Sequence, residues 1–190
     1  MAKKENEDLF TLLITTSHNP SHFLRRVSKL LSFSLPLSKR MNRGSLSLKE
    51  IKNLCWNMGI NKLLIVHGSK KIDSISLSCY DFIQSPKQFE VNAKLENFNF
   101  PRKGEKETRV DCNYISVEYP LDIPISLKER IQNFLNPLLS QTKSKQTKST
   151  LKIKFSDYSN GNLHGEVVRT VPNNGTPLYS FVINIMQEVE

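Results

Sequence analysis

"LFTLLITTSHNPSHFLRRVSKLL", Leu9 to Leu31, contains the change of period that decides the fold. Its first seven residues, Leu9–Thr15, are a short apolar run bounded by turn formers, the pattern of a buried strand. The residues after Pro20 repeat at helical spacing. At roughly 100° per residue, Arg25, Lys29, His22 and Arg26 share a wedge of about 100°, and Phe23, Leu24, Val27, Leu30 and Leu31 fill a separate wedge of about 120°. One clean apolar face and one clean basic face result. Asn19 is placed to cap this helix, and Pro20 suits its first turn, where the missing N–H would be an orphan anyway.

The same alternation continues downstream. Ser34–Arg40 is a brief strand candidate and Met41–Ser45 a loop. Ser47 and Glu50 form a capping box for a helix carrying Leu48, Ile51, Leu54, Cys55 and Met58 on one stripe, ended by Gly59. Lys62–His67 is a second continuous apolar strand, His67–Lys71 a turn, and Asp73–Tyr80 alternates as a half-buried antiparallel strand does. Strand, helix, strand, helix, strand in about sixty residues implies parallel strands with right-handed crossovers. A charged stretch with Pro and Gly, Phe100–Arg109, separates this from a second half built on the same recipe. That half reads as a strand at Tyr114–Tyr119, a capping box at Ser126–Glu129 with a helix to about Leu139, and a polar, basic, mobile loop at Ser140–Thr150. An alternating strand at Leu151–Phe155, a turn at Asp157–Asn162 and a hairpin of Leu163–Val171 with Leu178–Met186 complete it. "SLKE" stands at 47–50 and again at 126–129, which mildly favours a duplicated unit. The expected organisation is a tail at 1–8, an α/β half at 9–100, a linker at 101–112 and a second α/β half at 113–190, a mixed α/β class.

The bulk numbers narrow the function. With 190 residues, 38% apolar and 24% charged, the chain can bury a real core. Its three cysteines are scattered, show no zinc or disulfide spacing, and suit a reducing, cytoplasmic setting. The charged start lacks the apolar core of a signal peptide, and no apolar run approaches the ~20 residues of a membrane span. The net charge of +9 is unevenly placed: residues 1–71 hold 13 Lys/Arg against 4 Asp/Glu, and residues 72–190 hold 14 of each. Between residues 9 and 71 only Glu50 is acidic. Such a one-sided field favours polyanions, nucleic acid first among them, with an anionic membrane or acidic protein as alternatives.

The candidate site follows from this placement. In an open parallel sheet, ligands bind beyond the carboxyl ends of the strands. Thr15, Thr16, Ser17 and Asn19 leave a strand there and enter a helix N-terminus, where hydroxyls, free amides and the helix dipole favour an anion. Lys39, Arg40, Met41, Asn42, Arg43 and Gly44 form a second loop on the same sheet edge, with forked arginine donors, an amide and a glycine that permits close approach. His22, Arg25, Arg26 and Lys29 add the basic helix face. His18 and His22 have a metal-compatible spacing without a further ligand and are read as non-ligating. His67 and His164 are read as structural, and Asp157–Asn162 as a hairpin turn rather than a calcium loop. Trp56 lies off the apolar stripe of its helix and is read as packing on the other half, with stacking on a base as the alternative. No GxxxxGKS/T, GxSxG or HExxH motif is present, and no nucleophile with its base is nominated. Neither a cofactor nor a metal is expected.

"LITTSHNPS" (13–21), the two-arginine helix, "MNRGSLSLKEI" (41–51) and "GINKLLIV" (59–66) together resemble the Brix-domain family of ribosome-biogenesis proteins, in particular its compact archaeal members. These are related to the eukaryotic small-subunit processome component that carries the same domain. The motifs lie in residues 11–67; the second half matches by layout only. The resemblance implies two similar α/β halves, each like the anticodon-binding domain of class II aminoacyl-tRNA synthetases. It also implies non-catalytic binding of pre-rRNA and help in rRNA processing and subunit assembly, among proteins of the pre-ribosomal particle. Family members often carry arginine where this chain has His18, which weakens that phosphate clamp unless Arg25 and Arg26 compensate. The long basic extensions of eukaryotic members are absent from this sequence, so their protein partners are not carried over.

The leading expectation is therefore a monomeric, non-enzymatic rRNA-binding assembly factor. With few aromatics on the basic face, it should favour RNA shape over stacked single-strand bases. The alternative is a protein-interaction module that meets an acidic partner, or adds the edge of its final hairpin, Leu178–Met186, to a partner's sheet. A nucleotide-using enzyme on a doubly wound sheet ranks last.

Overall fold

A computed structural model describes residues 10–35, 37–68, 74–82, 89–100, 115–135, 138, 150–159, 162–170 and 177–185. The expected tail, the 101–112 linker and nearly all of the 140–150 loop lie outside the described residues, as do parts of the turns at 67–71 and 157–162.

The elements run β1 (Leu12–Thr16), α1 (His22–Ser34), β2 (Ser38–Arg40), α2 (Leu48–Asn57), β3 (Lys62–Gly68), β4 (Ser74–Asp81), β5 (Phe89–Asn99), β6 (Ile115–Glu118), α3 (Ile125–Leu135), β7 (Thr150–Ser159), β8 (Asn162–Thr170) and β9 (Pro177–Ile185). All the strands join one sheet in the order β2-β1-β3-β4-β5-β9-β8-β7-β6. β1 pairs in parallel with both β2 and β3, and β6 pairs in parallel with β7. The remaining pairings are antiparallel.

Leu12 and Ile14 of β1 join a core with Leu24, Val27, Leu30 and Leu31 of α1 on one side of the sheet. Leu13 joins Ile51 and Cys55 of α2 in a second core on the other side. The first core continues into the far half of the chain through Leu95 of β5, Ile131 and Leu135 of α3, Ile153 and Phe155 of β7, and Leu163 of β8. Thus α1 and α3 share one face of the sheet, and α2 covers the other. Among the described residues, no helix is long and apolar enough to cross a membrane.

Local signals explain most boundaries. The Ser47–Glu50 capping box forms: Ser47 N donates to Glu50 Oε2 at 2.7 Å and Glu50 N to Ser47 Oγ at 3.3 Å. The Ser47 hydroxyl also donates to Glu50 Oε2 at 2.7 Å, and this bond, with that from Ser47 N, holds the Glu50 carboxyl below its usual range. Gly59 ends α2 at φ +66°. The mixed α/β class is borne out.

Four expectations need correction. Ser21, not Asn19, caps α1, accepting from Leu24 N at 3.3 Å. Asn19 instead takes a left-handed φ of 48°, a conformation its short polar side chain tolerates. The second capping box does not open α3, because the helix has already begun at Ile125: Lys128 N donates to the Pro124 carbonyl at 3.0 Å, leaving Ser126 inside the first turn. That helix ends at Leu135, not near Leu139. β5 shows no clear period in the sequence, and β9 is no edge: it pairs with β5 on one side and β8 on the other. The hairpin edge invoked for adding to a partner's sheet is occupied within this chain.

β5 hid because its alternation changes phase. Leu95 and Phe98, three apart, are both buried in the same core. The pairing with β9 shifts register between Glu96 and Asn99, and this irregularity returns the apolar positions to one face. β5–β9 pairing thus makes one sheet of the two halves. Ile131→Ala, in a residue with 0% exposure at the shared core, should cost about 2–5 kcal/mol. Urea unfolding followed by circular dichroism and by fluorescence should give one coincident transition, shifted as a whole; two separated transitions would show that the halves do not share a core.

Candidate nucleic-acid interface

The carboxyl ends of β1 and β2 lie side by side because their register is fixed at Ile14 opposite Arg40. The hydrogen bonds continue past the strands. Met41 N donates to the Ile14 carbonyl at 2.9 Å, and Thr15 Oγ1 donates to the Met41 carbonyl at 3.0 Å. On the other flank, Ser17 N donates to the Val66 carbonyl at 2.9 Å. The loop into α1 and the loop into α2 therefore leave one rim of the sheet together.

α1 reaches over this rim through Ser28, a buried residue at its border with the sheet. Ser28 Oγ donates to the Arg25 carbonyl at 2.9 Å and accepts from Arg40 Nε at 2.9 Å. Arg40 Nη2 donates to Asn42 Oδ1 at 2.8 Å. Burial lowers the Arg40 pKa, and the nearby charge of Arg25 lowers it further. Two like charges are thus held near each other, a cost that a bound anion would relieve. Arg43 Nε donates to the Leu46 carbonyl at 2.9 Å, which orients its guanidinium beside Gly44, at φ +60°.

The other cations are braced by aromatic rings. The Arg26 guanidinium lies 4.1 Å from the Phe100 ring centroid, and Phe100 packs edge-on against Phe23 and Phe98. Lys29 Nζ stands 5.3 Å over Phe33 and Lys39 Nζ 5.4 Å over Phe10. His22, Arg25, Lys29, Lys39 and Asn42 are exposed; Arg26, Arg40 and Arg43 are half-buried.

The structure brings together Arg25, Arg40 and Asn42, with Lys29 one turn along α1; Lys39 points to the other face of the sheet, over Phe10, which packs on the second core. The hydroxyl residues are separated from that group: Thr15 and Thr16 are buried, and Ser17 is half-buried. The Thr15 hydroxyl is spent on Met41, so Thr15 positions the rim instead of facing solvent, a correction to its expected part as a phosphate donor. Asn19 and His18 are exposed on the loop. Ser28, Ser21 and Phe100 escaped the sequence reading. Ser28 lies beside the basic face of α1, and its small hydroxyl was the available signal; Phe100 sits at the end of a strand that was itself overlooked.

Among the described residues, groups able to support other chemistry are few. Among the described residues, no three His, Cys, Asp or Glu side chains gather as a metal site would require. Burial pushes the Cys55 thiol up to about 11 and the Cys79 thiol up to about 12, so neither is a ready thiolate. Asp157–Asn162 falls where β7 turns into β8, with Ser159 paired to Asn162.

No protein-family model matches the chain. One curated relative is the U3 small nucleolar ribonucleoprotein protein IMP4 of Eremothecium gossypii, 30% identical over 61 residues. That match covers 32% of this chain and only 22% of the relative. Among solved structures, a probable ribosomal biogenesis protein from Aeropyrum pernix is similar with a TM-score of 0.68 at 17% identity, over 94% of this chain and 97% of that one. The archaeal Imp4-like protein Mil is similar with a TM-score of 0.59 at 17% identity, over 92% and 99%. The fold is thus that of archaeal Imp4-like proteins, and the family resemblance read in residues 11–67 is borne out.

Thr15 tests how the rim is held. Thr15→Val keeps shape and burial but removes the donor to Met41, and should cost about 1–2 kcal/mol in chemical denaturation. Thr15→Ser should recover most of the loss. Equal stability of the valine variant and the native chain would show that this bond does not hold the two loops together.

Proposed function

We propose that this protein is a non-enzymatic ribosome-assembly factor that grips pre-ribosomal RNA by its phosphates at the rim where β1 and β2 end. The observation that carries the reading is the Arg25–Arg40–Asn42 cluster. It is tied by Ser28 across α1 and β2, in a segment whose sole acid between residues 9 and 71, Glu50, is engaged in its capping box. The site contacts would be Arg25, Arg40, Asn42 and Arg43 at the centre, with His22, Arg26 and Lys29 beside them on α1, Lys39 on the other face of the edge strand β2, and Ser17 and Asn19 on the loop. Thr15 and Thr16 act beneath them as supports. Forked guanidinium donors suit phosphate, and a rigid rim of cations reads backbone shape rather than base sequence.

The likenesses support the same reading, since two similar folds belong to proteins described as ribosomal biogenesis and Imp4-like. The curated relative is named for a U3 ribonucleoprotein, which fits an RNA-bearing pre-ribosomal particle as the setting here. The chain would work there as a monomer, in the cytoplasm, without a cofactor, and would assist rRNA processing and subunit assembly through the RNA conformations it holds.

Affinity for structured ribosomal RNA fragments, measured from 50 to 200 mM salt, tests the reading. If six cations each meet a phosphate, affinity should fall about a thousandfold across that range. Arg25→Glu/Lys29→Glu/Lys39→Glu changes exposed residues, so the variant should keep the native melting temperature. It should lose most of its affinity and have a clearly shallower salt slope. Equal binding by a folded variant, or no binding by the native chain, would overturn the proposal.

A further inference from the structure

Trp56 does not pack against the other half of the molecule: it is 79% exposed on α2, and Met58 beside it is 44% exposed. A tryptophan so placed is unusual on a soluble surface and normally marks a contact. Its neighbours indicate of what kind. At roughly 100° per residue, Lys52, Trp56, Lys49 and Asn53 fall within about 100° of one another on the helix, away from the buried Ile51 and Cys55. Lys49, Asn53 and Trp56 are exposed, and Lys52 Nζ stands 4.8 Å over the Tyr80 ring, which holds that lysine along the sheet face. Glu50 points its carboxylate to Ser47 at the start of the helix.

α2 also starts at the rim. Its N-cap, Ser47, follows the Arg43–Leu46 contact, so the stripe runs from the rim down the helix. Lys49 and Trp56 are seven residues apart, about 10.5 Å along the axis. Cations followed by an exposed, sequence-tolerant aromatic plane are the arrangement that holds a single strand: the lysines meet the backbone and the ring stacks on a base. An apolar or acidic protein surface would match one part of this stripe and not the other.

We infer that α2 carries a single-stranded RNA track that continues from the rim, with Lys49 and Lys52 on phosphates and Trp56 stacked on an unpaired base. The inference rests on the proposed RNA binding and adds to it a single-stranded contact on the opposite side of the sheet from α1.

Trp56 is the sole tryptophan, so its fluorescence reports this position alone. The full-length chain would be titrated with a labelled oligouridylate of about 12 nucleotides, long enough for one such site. Binding would be followed by anisotropy of the label and, separately, by tryptophan emission. Emission should quench with the same midpoint as the anisotropy change. Trp56→Ala should weaken binding roughly tenfold at an unchanged salt slope, and Trp56→Phe should retain part of the affinity. RNA that binds without moving the emission, and that the alanine variant binds as well as the native chain does, would overturn this inference and leave the rim reading standing. If neither this RNA nor structured ribosomal fragments bind, both readings fall.

Discussion

Burial of β1 on both faces is the constraint on which the rest depends. Leu12, Leu13 and Ile14 are each at most 1% exposed, although consecutive residues of a strand point to opposite sides. Cover is therefore needed above and below. α1 supplies it on one side through Leu24, Val27 and Leu30, and α2 on the other through Ile51 and Cys55. β2 and β3 flank β1, so the chain travels one way across the sheet and then back. With crossovers of constant hand, that reversal puts the two helices on opposite faces. Both loops must then leave at the carboxyl ends of the strands, on one rim. Arg25, Arg40 and Arg43, part of the positive charge that the sequence concentrates in residues 9–71, are collected there by topology.

Holding that charge is a matter of small groups. A serine hydroxyl links α1 to Arg40, an asparagine amide turns the same guanidinium, and a threonine hydroxyl joins the two loops beneath them. Aromatic rings brace Arg26, Lys29 and Lys39. Each contact removes side-chain freedom that binding would otherwise have to remove. The arrangement suits a partner with regularly spaced charge, read by shape.

Residues 12–68 were legible because their signals are local. The periodicities of 2 and 3.6, the capping box and Gly59 each act over a few residues and agree with one another. The candidate site residues on α1 and β2 come from the same patterns. What the sequence concealed depends on distant partners. β5 has a broken alternation that makes sense only beside β9, and β9 looked like a free edge because its neighbour had gone unseen. Asn19 and Ser21 both resemble caps, and Pro20 between them favoured the wrong one. Thr15 looked like a donor to solvent because composition cannot show that a hydroxyl is already engaged.

The central claim is that RNA meets the rim formed by α1, β2 and the two loops. NMR of the arginine Nε–Hε groups, during titration with a structured ribosomal RNA fragment, addresses it directly. Arg40 and Arg43 already donate through Nε to Ser28 and Leu46, so both signals should be well defined before RNA is added. The signals of Arg25, Arg40 and Arg43 should shift together and saturate at one midpoint, while Arg130 of α3 stays still. Shifts confined to Arg130 and to the amides of β6–β9, with the three rim arginines unmoved, would contradict the claim and move the RNA surface to the other half of the sheet.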